Sequence, residues 1–147
     1  MHRIRSLAVL IAVCASLAGT SSAQAGSTQE RVARLVNKAR ATHGIRPVRV
    51  SSKLTRSSRR YARKILRSDV LAHSRHIGGG FRRTGEVIAI QSSRRPRPRR
   101  IVRMWMSSPS HRAVLLSNGF GRLGVARAYG RLGGPRRSVW VGQLGGG

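Results

Sequence analysis

At 147 residues and 16.1 kDa the chain has room for one domain and not for two. Thirty Lys and Arg stand against three Asp and Glu, a formal charge of +27 and a pI near 12.0, which speaks about partners and solubility rather than fold. A hydrophobic content of 39% in periodic stretches argues against disorder, the pattern excludes collagen, coiled coil and polytopic membrane protein, and a single cysteine, Cys14, excludes a disulfide-stapled miniature.

Residues 1–25 read as a secretory signal. His2, Arg3 and Arg5 form a basic start, Leu7 to Ala18 is an apolar run too short to cross a membrane, and Ala23-Gln24-Ala25 is a small-x-small cleavage site. The expectation is export, with cleavage after Ala25 and a cysteine-free single domain over residues 26–147.

Ser27 and Glu30 have the spacing of a capping box, opening a helix whose apolar stripe is Val32, Leu35, Val36 and Ala39 and which Gly44 stops. A second helix starts at Ser51 or Ser52 and runs to about Ser68. Leu54, Ser58, Tyr61 and Ile65 share its inner face, and Arg56, Arg60, Arg63 and Arg67 the opposite one. His73 to Thr84 is Gly-rich and irregular, and Val87 to Ile90 reads as a short strand. Ser92 to Arg100, with Arg94, Arg95, Arg97, Arg99 and Arg100, reads as a solvated connector. Ile101, Met104 and Trp105 give a short helix ended at Ser108-Pro109, and His111 to Leu116 adds one or two turns. Leu123 to Ala128 and Val139 to Gln143 are strand-like, with Gly130 to Arg137 as the loop between them. Helices followed by a meander predict an α+β sandwich.

Three acids can be accounted for one at a time. Glu30 belongs to the capping box, and Asp69 ends a basic helix, where a local ion pair with Arg or Lys is the plain expectation. Glu86 enters an apolar strand after Gly85 with no cap or helix-face partner, which is costly unless the carboxylate is paired. It is a candidate site residue, with a buried Glu–Arg structural pair as the alternative. Of the histidines, His43 suits a helix C-terminus, His73 and His76 form a weak His-x-x-His signal, and His111 follows Ser-Pro-Ser, where its ring can face a cleft.

The order Leu71-Ala72-His73-Ser74, Gly85-Glu86-Val87-Ile88-Ala89, Trp105 to Leu116 containing Ser108-Pro109-Ser110-His111-Arg112, Leu123-Gly124-Val125-Ala126 and Val139-Trp140-Val141-Gly142-Gln143 resembles the CAP domain family, in its short, cysteine-free bacterial branch. This family groups cysteine-rich secretory, antigen 5 and pathogenesis-related proteins. The resemblance implies an α-β-α sandwich with a small antiparallel sheet between helices, and an open cleft holding two histidines and two acids. His73, Glu86 and His111 match three of those four. Met106, Ser107 and Ser108 stand where the second acid falls, Val87 replaces the usual Asn after the Glu, and Ser110 the usual Gly before the His.

Two imidazoles and one carboxylate suit a divalent metal, zinc first, with an open position. The expectation is that the three converge: Gly85 allows a tight turn before Glu86, and Pro109 breaks a helix so that His111 starts another.

The leading expectation is therefore a secreted, envelope-associated binding module whose cleft takes a metal ion or small lipid and whose arginines hold it to an anionic polymer or lipid. A metal-assisted hydrolase using Glu86 as general base is the second reading, lacking a second acid and any nucleophile. A cationic toxin or polyanion binder is the third, and enzymatic activity is left open. Nucleic acid is disfavoured by export and by aromatics (Phe81, Phe120, Trp105, Trp140, Tyr61, Tyr129) that mostly fall at core-like positions.

Overall fold

A computed structural model describes residues 27–147; the signal peptide expected over 1–25, Cys14 included, lies outside the described residues. The capping box forms as spaced. Ser27 N–H donates to Glu30 Oε2 at 2.9 Å and Glu30 N–H to Ser27 Oγ at 3.3 Å, starting α1 (Thr28–Thr42). After β1 (Arg49–Val50), Ser51 caps α2 (Ser52–Ser68) by accepting from Leu54 N–H. Then come β2 (Arg83–Gln91), α3 (Pro98–Ser107), α4 (Pro109–Leu115), β3 (Arg122–Arg131) and β4 (Arg136–Gly146). Among the described residues no helix is long and apolar enough to cross a membrane.

The four strands lie in the order β1-β3-β4-β2. β1 runs parallel to β3 and the other pairings are antiparallel, so the sheet is mixed rather than the antiparallel one expected. The two-residue β1 carries no apolar alternation, and only its pairing with Arg122 and Leu123 makes it a strand.

Alternation along the strands builds an α-β-α sandwich. Val87, Ala89, Leu123, Val125, Trp140 and Leu144 pack with α1, α3 and α4 on one face, while Ile88, Ile90, Val139 and Val141 pack with Ala62 and Ile65 of α2 on the other. The start of α2 lies directly on β3. A Cβ on Gly124 would collide with the backbone of Leu54 and Thr55, and Ser58 Oγ donates to Gly124 O at 2.9 Å.

Several boundaries move. β2 reaches back to Arg83 because β4 pairs along its whole length, from Gln91↔Ser138 to Arg83↔Gly146. The β3–β4 loop shrinks to residues 132–135, closed by Leu132 N–H on Pro135 O at 3.0 Å. The basic connector ends earlier than its charge pattern suggests. Pro98 opens α3, its ring set for a first helical turn, and Arg99 and Arg100 lie on that helix. Arg94, Arg95 and Arg97 remain exposed, with the Arg94 and Arg95 carbonyls held by Arg127 and Gln91.

Candidate functional site

β2 is an edge strand, and Glu86 sits near its start, directly opposite Gln143 of β4. Cross-strand partners project from the same face, and Gln143 Nε2 donates to Glu86 Oε2 at 2.8 Å. The other carboxylate oxygen, Oε1, accepts from Ser74 N–H at 2.8 Å and pairs with His73 Nδ1 at 3.0 Å. An ionised carboxylate only accepts, so Nδ1 carries the proton and Nε2 is the nitrogen left to His73. This is a His–Glu hydrogen-bonded pair in place of the Glu–Arg pair that sequence left open. Glu86 is the closed end of the group, its side chain 4% exposed, and His73 the open end at 60%.

Pro109 separates α3 from α4 as its chemistry dictates, placing His111 in the first turn of α4. The His111 and His73 rings face each other with centroids 6.2 Å apart and planes tilted by 52°. Gly85 has a different role from the one expected. It lies within β2, and a Cβ there would come within 2.9 Å of Phe120 and Val114, so close packing under α4 requires the glycine rather than a turn. Asp69 also departs from expectation. It terminates α2 in the left-handed region, φ 54°, and its Oδ1 accepts from Gly133 N–H at 2.6 Å, tying the helix end to the β3–β4 loop instead of pairing with a local cation.

The two imidazoles open on a cleft of about 510 Å³ along the free side of β2. Ile88, Ile90 and Trp105 form its floor and wall, and Leu71 and Met104 stand 51% and 40% exposed along it. Nothing in the periodicity marks Leu71 as a site residue, and the sequence places Met104 only on a short helix. Two buried polar atoms here have no partner, Trp105 Nε1 and Gln143 Oε1. Sequence reasoning misses Gln143 as a functional residue, and the register opposite Glu86 is the signal that would find it.

The acidity of His111 is shifted by its surroundings. Burial first, and then the charge of His73, push its pKa below the ordinary 6.5. It is accordingly neutral at pH 7, with a lone pair available to a donor. Imidazole titration by NMR is expected to place the His111 midpoint below 6.5. His73→Ala should raise it only part of the way back, since burial remains; an unchanged midpoint in that variant would remove the coupling.

Among the described residues no three His, Cys, Asp or Glu side chains converge in a way that could hold a metal ion. Both Glu86 oxygens are occupied by donors, so Glu86 supports His73 from behind and is not a third ligand facing the cleft. Two imidazoles fall one short of the three protein ligands of an open zinc site. The residues present therefore do not fit the expected set.

A sandwich with a paired-histidine cleft beside an edge strand describes a class of α+β folds, and sequence comparison narrows it. The profile of the cysteine-rich secretory protein family, CAP, matches residues 33–144, and the chain belongs to that family. No curated protein sequence matches the chain. Among solved structures it is similar to an outer surface protein of Borrelia burgdorferi, at 18% identity and TM-score 0.64, covering 82% of this chain and 96% of that one. It is also similar to an extracellular SCP-domain protein of Bacillus anthracis, at 19% identity and TM-score 0.64, covering 82% of this chain and 40% of that one. Venom allergen-like protein 4 of Schistosoma mansoni shares the fold at 12% identity and TM-score 0.61, covering 83% of this chain and 90% of that one.

Proposed function

We infer that this is an extracellular binding module whose cleft holds the alkyl chain of a small amphiphile. The observation that carries this reading is the placement of large apolar side chains in the open. Leu71 and Met104 are half exposed, which costs free energy in water, and both line a concavity continued by Ile88, Ile90 and Trp105. Its volume suits a small ligand. The histidine pair supplies the polar end, with Nε2 of His73 and the neutral His111 ring free to meet a carboxylate or hydroxyl head. Export rests on the signal segment, and the outer-surface and extracellular character of similar proteins agrees with it.

Hydrolysis is the weaker reading. Glu86 would be the general base, yet it is buried behind His73 with both oxygens accepting hydrogen bonds, out of reach of water in the cleft.

Titration with dodecanoate, followed by methyl and aromatic NMR shifts, is expected to saturate and to move Met104, Ile88, Ile90 and Trp105. The double variant Leu71→Ser, Met104→Ser changes two half-exposed side chains outside the buried core. It should weaken binding roughly 10-fold, at about 25 cal/mol for each Å² of apolar surface the ligand no longer covers. Shifts spread over the whole surface, or equal affinity in the variant, would overturn the reading.

A further inference from the structure

A second concavity, of about 810 Å³, runs between α2 and the segment over residues 70–78. Its α2 wall carries Arg60, Lys64 and Arg67, and its loop wall carries Arg75 and His76. The walls are tied together by groups other than these side chains. Tyr61 Oη donates to Ala72 O at 2.7 Å, Gly78 N–H donates to Ser57 Oγ at 3.3 Å, and Ser74 N–H is held on Glu86. The groove is thus built before any ligand arrives, and its charged heads are left over.

They have no counter-charge. All three acids of the sequence are accounted for elsewhere: Glu30 in its capping box, Asp69 on Gly133, and Glu86 under His73. Among the described residues the His73–Glu86 pair is the single salt bridge, and no carboxylate lines the groove. Like charges held on two facing walls repel, and an anion bound between them relieves that repulsion.

Spacing selects among anions. Arg60, Lys64 and Arg67 follow one row of the helix, about 6 Å and then about 4.5 Å apart along the axis at 1.5 Å per residue. A chain bearing one negative charge per several ångströms meets each in turn, with Arg75 and His76 closing from the other side. A flat anionic membrane reaches exposed heads but cannot enter between two walls. Tyr61 is the one aromatic ring of Phe, Tyr or Trp lining the groove, and its hydroxyl is bound to Ala72, so there is no stacking platform for bases.

We propose that this groove binds a strand of a linear, base-free polyphosphodiester, with Arg60, Lys64, Arg67, Arg75 and His76 as its phosphate contacts. The site is distinct in chemistry from the apolar cleft, although the two concavities meet at Ala72 and His73. The face of α2 that stands out in the sequence is divided by it: Arg60 and Arg67 line the groove, while Arg56 and Arg63 do not.

The test measures binding of the full chain to poly(glycerol phosphate) across a salt series. Arg60→Gln, Lys64→Gln and Arg67→Gln together should weaken binding at least 10-fold at 0.1 M salt and reduce the slope of log K against log salt by about 2, at about 0.7 per phosphate contact on a single strand. The charge-matched triple Arg56→Gln, Arg63→Gln, Arg99→Gln should change affinity less than 3-fold. Arg75→Gln alone should cost several-fold, because it strips the opposite wall. Equal losses in both triples would mean diffuse charge and overturn the groove. Tighter binding to phosphatidylglycerol vesicles than to the polymer, per phosphate, would place the contact on a membrane surface and overturn it as well. Inorganic phosphate at the same phosphate concentration should compete weakly; full competition would reduce the site to a single-anion pocket and overturn the polymer. Dodecanoate binding should survive the groove triple, which separates failure of this proposal from failure of the cleft reading.

Discussion

Replacing Arg40 by Met is expected to lower the stability of the protein by about 4 kcal/mol and its midpoint by roughly 10–20 °C, measured by chemical and thermal unfolding. Arg40 is wholly buried at the end of α1 with no carboxylate beside it. Its guanidinium instead donates to four carbonyls: Nε to Arg46 O at 2.8 Å, Nη1 to Leu115 O at 2.7 Å and Ser117 O at 3.0 Å, and Nη2 to Phe120 O at 3.1 Å. Leu115 and its successors are the C-terminal end of α4, where the carbonyls have no partners within the helix and a cation is favoured. Burial pulls the guanidinium pKa below its ordinary value, and the carbonyl cage is what keeps a charge tolerable there. Met fills similar volume but orphans all four acceptors, each worth about 1 kcal/mol or more. Arg40→Lys retains the charge without the planar fork and should recover less than half of the loss. Full recovery by Lys would show that charge alone matters and the fork does not. Because the bolt runs from α1 to the end of α4, the Met variant should also broaden the His111 resonances.

That arginine shows how far the sequence can be read. The helix is legible from Ser27, Glu30 and a 3.6-residue apolar repeat, but its apolar stripe of Val32, Leu35, Val36 and Ala39 is not the row the fold buries. The buried row is Val32, Ala33, Val36 and Arg40, with Leu35 and Ala39 half covered. Position 40 continues the spacing 32, 36, 40, and only its charge disqualifies it. An apolar pattern cannot announce a cation whose partners are carbonyls from residues 46 to 120, because carbonyls have no letter in the sequence. The same limit hides β1, whose strand character comes from β3 alone, and the groove's loop wall, which exists because Tyr61, Ser57 and Glu86 hold it. What is legible has a local cause: caps at Ser27 and Ser51, Pro109 between two helices, a short apolar run in β2. His73 and His111 line one cleft with Glu86 behind His73, and that division of labour depends on Gln143, a cross-strand neighbour.

Glu86→Leu is expected to cost about 3 kcal/mol and to disable the cleft and the groove together, whereas Glu86→Gln should cost about 1 kcal/mol and spare much of both. The Leu variant leaves Ser74 N–H and Gln143 Nε2 without acceptors, and Gln143 already has an orphaned Oε1, so a whole buried amide would then be unpaired. His73, being mostly exposed, loses its orientation rather than its hydration. With it goes the anchor of the 70–78 segment, which forms one wall of the groove and carries Leu71 at the cleft. In the Gln variant the new carbonyl still accepts from Ser74 and His73, and its amide NH₂ confronts Gln143. Rotation of the Gln143 amide then turns its unused Oε1 toward that donor, leaving one orphaned group where there was one before. Two measurements separate this from a merely structural role. The His73 side-chain resonances should disperse to solvent-like shifts in Glu86→Leu and stay native in Glu86→Gln. Binding of dodecanoate and of poly(glycerol phosphate) should fall together in the first and persist in the second. If the polymer still binds Glu86→Leu with native affinity, the segment is held by Tyr61 and Ser57 alone, and Glu86 serves the histidine pair without shaping the groove.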